Sequence, residues 1–336
     1  MKFYKILFFN TMVIGTLISV SSYSWMSMWM GLEINLLSII PLLKSSNNIF
    51  PAEAAIKYFI TQAMASSILL FSVILSLNLN EFIPYNSILN LNMLMNSAFL
   101  MKMGAAPFHF WFPEVMEGLN WNNCLIMMTW QKIAPMVLIS YNNKEYFFLT
   151  MIIITSSMIS GMMGVNQVSL RKIMAFSSIN HIGWMISAMF TSVSVWLVYF
   201  ITYSIITFNL IMIFKMKNIY HLKQLYSSLK NNKLLKLFFI LNFLSLGGIP
   251  PFMGFMPKWL AVNFLVQSKF LMLSLVLIVF SVMTLFFYMR ITYSSLMTKT
   301  SETIMKFVYK INFSVIAGNM ISMMGILAMT LLFNFF

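Results

Sequence analysis

The chain has 336 residues, 60% of them hydrophobic and only 8% charged. A soluble domain carries roughly 25% charged residues, so a chain this poor in charge must turn most of its surface to lipid, which excludes nearly every soluble enzyme class. The remaining charge is lopsided, 21 Lys and Arg against 7 Glu and no Asp, an excess that in a membrane chain reads as topology and not as a nucleic-acid surface.

A transmembrane helix needs about 20 apolar residues. Runs of that kind fall at 3–21, 25–43, 54–77, 91–112, 122–141, 146–165, 172–190, 194–216, 236–267, 270–290 and 311–334, which predicts an all-α polytopic membrane protein of eleven spans. The first run follows Lys2 and Lys5 and lacks a clear small-x-small cleavage site, so it reads as a span and not as a signal peptide. If odd spans start inside, the inner loops hold Lys2, Lys5, Lys44, Arg171, Lys172, six lysines between 215 and 236, then Arg290, Lys299, Lys306 and Lys310. The outer loops hold Lys144 and Lys269 alone, which puts the N-terminus inside and the C-terminus outside. The polar stretch 217–236 is expected to lie along the inner interface.

Spans four and nine are interrupted by matching motifs. Gly104-Ala-Ala-Pro107-Phe108 followed by Pro113, and Gly248-Ile-Pro-Pro251-Phe252 followed by Pro257, both read G-x-x-P-F-x-x-x-x-P. Their span numbers differ by five, so they cross in opposite directions, as in an inverted duplication with one broken helix in each half. The expected organisation is a single transmembrane domain, 1–336. Its first repeat is 25–165, its second, inverted repeat 172–290, and 291–336 form an inner loop and a last helix. Each proline should leave unpaired the carbonyl four residues earlier, at Met103, His109, Gly247 and Met253.

Four ionisable residues lie deep in spans. Glu33 is ~15 Å along the helix axis from Ser24; Lys132 is as deep in span five, before a kink expected at Pro135; Lys102 precedes the first break and Lys258 follows the second. A charge there costs a few kcal/mol or more in lipid and must face protein or water. Lys57, one turn after Glu53, can instead reach the surface and pair with it. His181 in span seven and His109 in the first break are candidate proton relays or packed polar groups, and Glu114 and Glu117 are expected to be solvated. The single Cys124 and three scattered histidines (the third is His221) leave no expected metal or redox cofactor on this chain. Heavy use of Met, Phe, Ile, Asn and Lys suggests AT-rich codons and an organellar gene. A lysine with a switchable carboxylate partner can load and release a proton, so one buried Glu and three buried Lys suit proton movement better than a substrate pocket.

These same residues carry a resemblance. The runs W-M-G-L-E-I-N-L-L around Glu33, L-M-K-M-G-A-A-P-F-H-F-W-F-P-E-V-M-E-G-L around Lys102, T-W-Q-K-I-A-P around Lys132, S-L-R-K-I-M-A-F-S-S-I-N-H-I-G-W ending past His181, and N-F-L-S-L-G-G-I-P-P-F-M-G-F-M-P-K-W ending past Lys258 resemble the subunit 2 family of mitochondrial NADH:ubiquinone oxidoreductase, insect type closest. The likeness covers essentially the whole chain. It implies an antiporter-like membrane-arm subunit of the inner mitochondrial membrane, N-terminus in the matrix, surrounded by other membrane-arm subunits and lipid. By resemblance Glu33 and Lys102 are ion-pair partners of a first half-channel, Lys132 a central relay and Lys258 the residue of a second half-channel. NADH, FMN, iron–sulfur clusters and ubiquinone would be handled by other subunits of the complex. The alternatives are a subunit of a cation/proton antiporter and a structural spacer of the membrane arm.

Overall fold

The computed structural model describes residues 3–44, 49–79, 85–142, 145–229, 232–297, 316–320 and 322. Every regular element there is a helix: α1 (Phe3–Ser21), α2 (Trp25–Leu43), α3 (Phe50–Leu79), α4 (Tyr85–Met103), α5 (Trp111–Gly118), α6 (Trp121–Met128), α7 (Trp130–Tyr141), α8 (Tyr146–Val165), α9 (Leu170–Thr191), α10 (Val193–Lys217), α11 (Leu222–Leu229), α12 (Lys233–Gly247), α13 (Phe255–Gln267) and α14 (Leu271–Met297). One isolated antiparallel bridge joins Ser169 to His221. The short α11 occupies the polar stretch expected at the inner interface and buries Leu225 and Leu229 on one face.

Among the described residues, eight helical stretches are long and apolar enough to cross a membrane, with α6 and α7 together making one of them. Two further expected spans are the interrupted pairs α4/α5 and α12/α13. The eleventh, 311–334, falls outside the described residues except at 316–320 and 322, and Lys2, Lys144, Lys230, Lys299, Lys306 and Lys310 also fall outside them. Span five differs from expectation. It is interrupted at Thr129, six residues before Pro135, with Thr129 at φ −113° and ψ −70°. Proline at 135 has no N–H for the Gln131 carbonyl and its ring crowds the preceding turn, so the irregularity appears N-terminal to the proline itself.

The chain divides into two compact units, Met1–Ile152 and Ile153–Phe336. In the first, α1 and α2 touch backbone to backbone. A Cβ on Gly31 would lie 2.6 Å from the Ser19 nitrogen, and one on Gly15 would lie 2.9 Å from the Asn35 nitrogen. Small residues permit this approach, and in lipid close packing of this kind is a main source of helix association. Trp29 Nε1 then donates to the Ser66 carbonyl at 3.2 Å and ties α2 to α3. Helix α3 packs on α2, α4 and α5, and α4 packs on α7.

In the second unit the order is repeated: α10 packs on α9, α12 and α13, and α12 packs on α14. Helix α9 is buried on every side from Ile173 to Met189, as expected of a helix at the centre of a bundle. Gly183 lets it close on α8, since a Cβ there would meet Ser156 Oγ at 2.6 Å.

Candidate functional site

Both breaks have the same local design. Each first helix ends in a left-handed glycine, Gly104 at φ +72° and Gly248 at φ +78°, a conformation that costs other residues roughly 1–2 kcal/mol. Seven residues later the second helix begins, at Trp111 and at Phe255. Turn bonds close part of each end, the Gly104 N–H donating to the Met101 carbonyl at 3.2 Å and the Gly248 N–H to the Ser245 carbonyl at 3.0 Å, and side chains reach the last carbonyls of α4 and α12, since an unmet buried carbonyl is costly.

Different side chains meet them. At the first break Trp111 Nε1 donates to the Met101 carbonyl at 3.2 Å and Gln62 Nε2 donates to the Lys102 carbonyl at 3.3 Å. At the second, Lys258 Nζ donates to the carbonyls of Leu246 at 3.2 Å and Gly247 at 2.9 Å. Gly248 makes room for this lysine, because a Cβ there would sit 2.8 Å from Lys258 Cδ. Of the carbonyls expected to lack a donor, Gly247 has Lys258. His109 is a correction: its carbonyl accepts from the Phe112 N–H at 3.0 Å, because the start of α5 turns tightly enough to close a shorter ring in place of the bond that Pro113 cannot make.

The three deep lysines are all buried, Lys102 and Lys258 at 7% exposure and Lys132 at 1%. Lys132 projects its Nζ to 5.5 Å from the centroid of the Phe112 ring, within the range of a cation–π contact. Lys258 Nζ lies 6.0 Å from the Trp184 ring. Glu33 is half-buried. It makes no direct ion pair with Lys102 among the described residues. Lys57 does pair with Glu53 as expected, at 3.0 Å, and also with Glu114 at 3.0 Å; all three side chains are exposed. His109 is buried, with Nδ1 3.3 Å from the Pro107 carbonyl oxygen and its ring against Phe110.

Sequence reasoning missed a polar cluster around Lys102. A cavity of about 10 Å³ is lined by Asn35, Tyr58, Gln62, Lys102, Gln131 and Pro135 together with Leu32 and Leu36, on the order of the space one water needs. The Gln131 amide bridges it: Nε2 donates to Asn35 Oδ1 at 2.9 Å, and Oε1 accepts from the Tyr58 hydroxyl at 3.4 Å. The signal was present as helical spacing. Tyr58 and Gln62 are one turn apart, as are Gln131 and Pro135, so each pair shares a face.

The second unit has a counterpart cavity, also about 10 Å³, lined by His181, Tyr199, Thr202, Tyr203, Ser245 and Leu246 among others. His181 Nδ1 is hydrogen-bonded to the Tyr199 hydroxyl at 2.9 Å. Leu246, whose carbonyl Lys258 holds, lines this space, and Lys258 itself does not. Asn180 Nδ2 donates to Thr284 Oγ1 at 3.2 Å. Among the described residues no three His, Cys, Asp or Glu side chains come together as a metal site.

The first unit thus sets the buried Lys102 and Lys132 and a small polar cavity at a broken helix, and the second sets Lys258 and a largely apolar cavity, edged by His181 and two tyrosines, at another. The family described as NADH:quinone oxidoreductase/Mrp antiporter, TM, matches residues 22–286. NADH-ubiquinone oxidoreductase chain 2 of Aedes aegypti is 48% identical over 333 residues, covering 97% of each chain. The chain 2 of Locusta migratoria is 43% identical over 331 residues, covering 98% of this chain and 96% of that one. A chain of respiratory complex I from Thermus thermophilus with bound aureothin shares the fold, with a TM-score of 0.86 at 23% identity over 97% of this chain and 79% of that one. The chain therefore belongs to the NADH:quinone oxidoreductase/Mrp antiporter membrane family, as a relative of NADH-ubiquinone oxidoreductase chain 2.

Proposed function

We infer that this chain is a proton-translocating membrane-arm subunit of NADH:ubiquinone oxidoreductase, coupling electron transfer in other subunits to proton movement from matrix to intermembrane space. The observation that carries the reading is the set of three buried lysines, Lys102, Lys132 and Lys258, on interrupted helices in a chain 97% covered by a chain 2 relative. NADH, FMN, iron–sulfur clusters and ubiquinone belong to the parent complex, and the partners of this chain are other membrane-arm subunits and lipid of the inner mitochondrial membrane. The basic loops expected on one side support a reading with the N-terminus in the matrix and the C-terminus in the intermembrane space.

The two halves are an inverted duplication of a five-helix unit. The identical length of the two breaks and the repeated order of helix neighbours support this. In the cycle we propose, Lys102 is charged while the Glu33 carboxylate is near. A change arriving along the membrane arm moves that carboxylate away, which weakens the ammonium form in its buried site, and the proton passes toward Lys132. Lys258 completes the outward path, His181 and His109 are further relays, and His109 stands in the first break. The test is the proton-to-electron ratio of an assembled complex carrying Lys132→Met in sealed membranes. The expected result is a lower ratio; an unchanged ratio at normal electron flux would overturn the relay.

A further inference from the structure

The cavity beside Lys102 stops short of Lys132. Gln131 and Pro135 face it from α7, whereas Lys132 is not among its lining residues and points to the Phe112 ring. At 3.6 residues per turn, neighbouring residues on a helix point about 100° apart, so Gln131 is part of the wall of the space at Lys102 and Lys132 lies on the adjoining face of α7.

An amide is a poor link in a proton path. Its nitrogen holds its hydrogens and its oxygen only accepts, whereas a tyrosine hydroxyl both donates and accepts. The Tyr58 hydrogen is directed at Gln131 Oε1, and Gln131 is itself held by Asn35. The one hydroxyl at the cavity able to pass a proton onward therefore ends on a group that cannot.

The backbone beneath Gln131 is the least regular part of its span. α6 ends at Met128, Thr129 interrupts the helix, and Pro135 removes the N–H that the Gln131 carbonyl would accept. A side chain held by two hydrogen bonds thus sits two residues after an interruption of its helix.

We propose that Gln131 is a gate between Lys102 and Lys132, shut by its hydrogen bonds to Asn35 and Tyr58 and opened when its amide turns away from Asn35. When it opens, an N–H bond of the Lys102 ammonium breaks and the proton passes to water in the cavity. It then moves through that water, or through Tyr58, whose oxygen takes one proton as its own hydroxyl proton leaves. It ends as a new N–H bond on neutral Lys132; one positive charge has moved and none is made or lost. Gln131 is a positioning residue here, and the inference rests on the relay proposed above.

The test uses the assembled complex in sealed vesicles. Gln131→Ala removes the wall, and passive proton conductance under an imposed pH gradient, without NADH, is expected to rise about tenfold, the change given by a barrier lower by about 1.4 kcal/mol. Adding Lys102→Met to Gln131→Ala is expected to abolish that leak, which a packing defect alone would not do. Gln131→Leu fills the wall with an apolar group that cannot form the open path, so it is expected not to leak and to lower the proton-to-electron ratio. Asn35→Ala frees the amide without altering it and is expected to leak as Gln131→Ala does, which keeps the test open if Gln131→Ala fails to assemble. Normal conductance and a normal ratio in the Gln131 and Asn35 variants would overturn the gate. If those variants are normal while Lys102→Met alone lowers the ratio, only the gate fails; if Lys102→Met also pumps normally, the relay fails with it.

Discussion

The Lys258 ammonium donates to the Gly247 carbonyl oxygen at 2.9 Å, and that carbonyl is the one Pro251 deprives of a helical donor. The lysine is at once a cap for α12 and a buried charge. Lys258→Met removes both roles and leaves the Leu246 and Gly247 carbonyls unmet, at roughly 1–3 kcal/mol each. Lys258→Arg keeps the donors but holds its proton permanently. Native-gel yield of the complex is expected to fall with Met and to recover with Arg, while the proton-to-electron ratio stays low in both.

Gly248→Ala forces a side chain into φ +78° and against Lys258 Cδ. The backbone alone costs about 1–2 kcal/mol. The variant should therefore melt earlier and also displace the lysine, so its ratio should resemble that of Lys258→Met. Gly104→Ala meets Phe112 Cβ at 3.0 Å instead, and its main effect should be on the melting temperature. Scanning calorimetry beside a pumping assay separates the two.

Gln62→Leu deletes the donor to the Lys102 carbonyl. A buried acceptor left alone costs about 1–3 kcal/mol, so the thermal midpoint of the complex is expected to fall. A midpoint equal to wild type would show that the amide is dispensable to the break.

Tyr199→Phe removes the 2.9 Å hydrogen bond at His181 Nδ1 and changes little else in shape. With this hydrogen bond lost, His181 should pass protons less well. Dye-reported proton uptake per NADH oxidised is expected to drop, by less than in Lys258→Met; full uptake would remove His181 from the path.

Lys57→Gln breaks two exposed pairs, with Glu53 and Glu114. Solvent and salt screen such pairs, so yield and pumping should match wild type at any ionic strength. A loss of yield would mean that the contact between α3 and α5 depends on charge, where close packing of Gly118 on Ala54 is expected to suffice.

Much of this was readable in one dimension. Helices α1, α2 and α8 begin and end where the apolar runs do, because lipid demands a helix of about 20 apolar residues whatever surrounds it. The two breaks were equally plain, since a positive φ at glycine and a missing N–H at proline are properties of the residues themselves. Lys102, Lys132 and Lys258 stand out for the same reason: a charge inside an apolar run is visible without knowing its neighbours.

The rest depended on packing. Thr129 carries no breaker signature, and only the folded chain shows the helix interrupted there. Gln62 meets the Lys102 carbonyl from 40 residues away, and Asn35 meets Gln131 from 96. Residue chemistry along the chain decided which segments enter the membrane, where their helices must break and which charges lie deep. The close approach of α2, α3, α4 and α7 decided which donor satisfies each exposed carbonyl and which amide closes the space beside Lys102, because a hydrogen bond needs its two atoms within about 3 Å, and between helices only the tertiary fold brings them there.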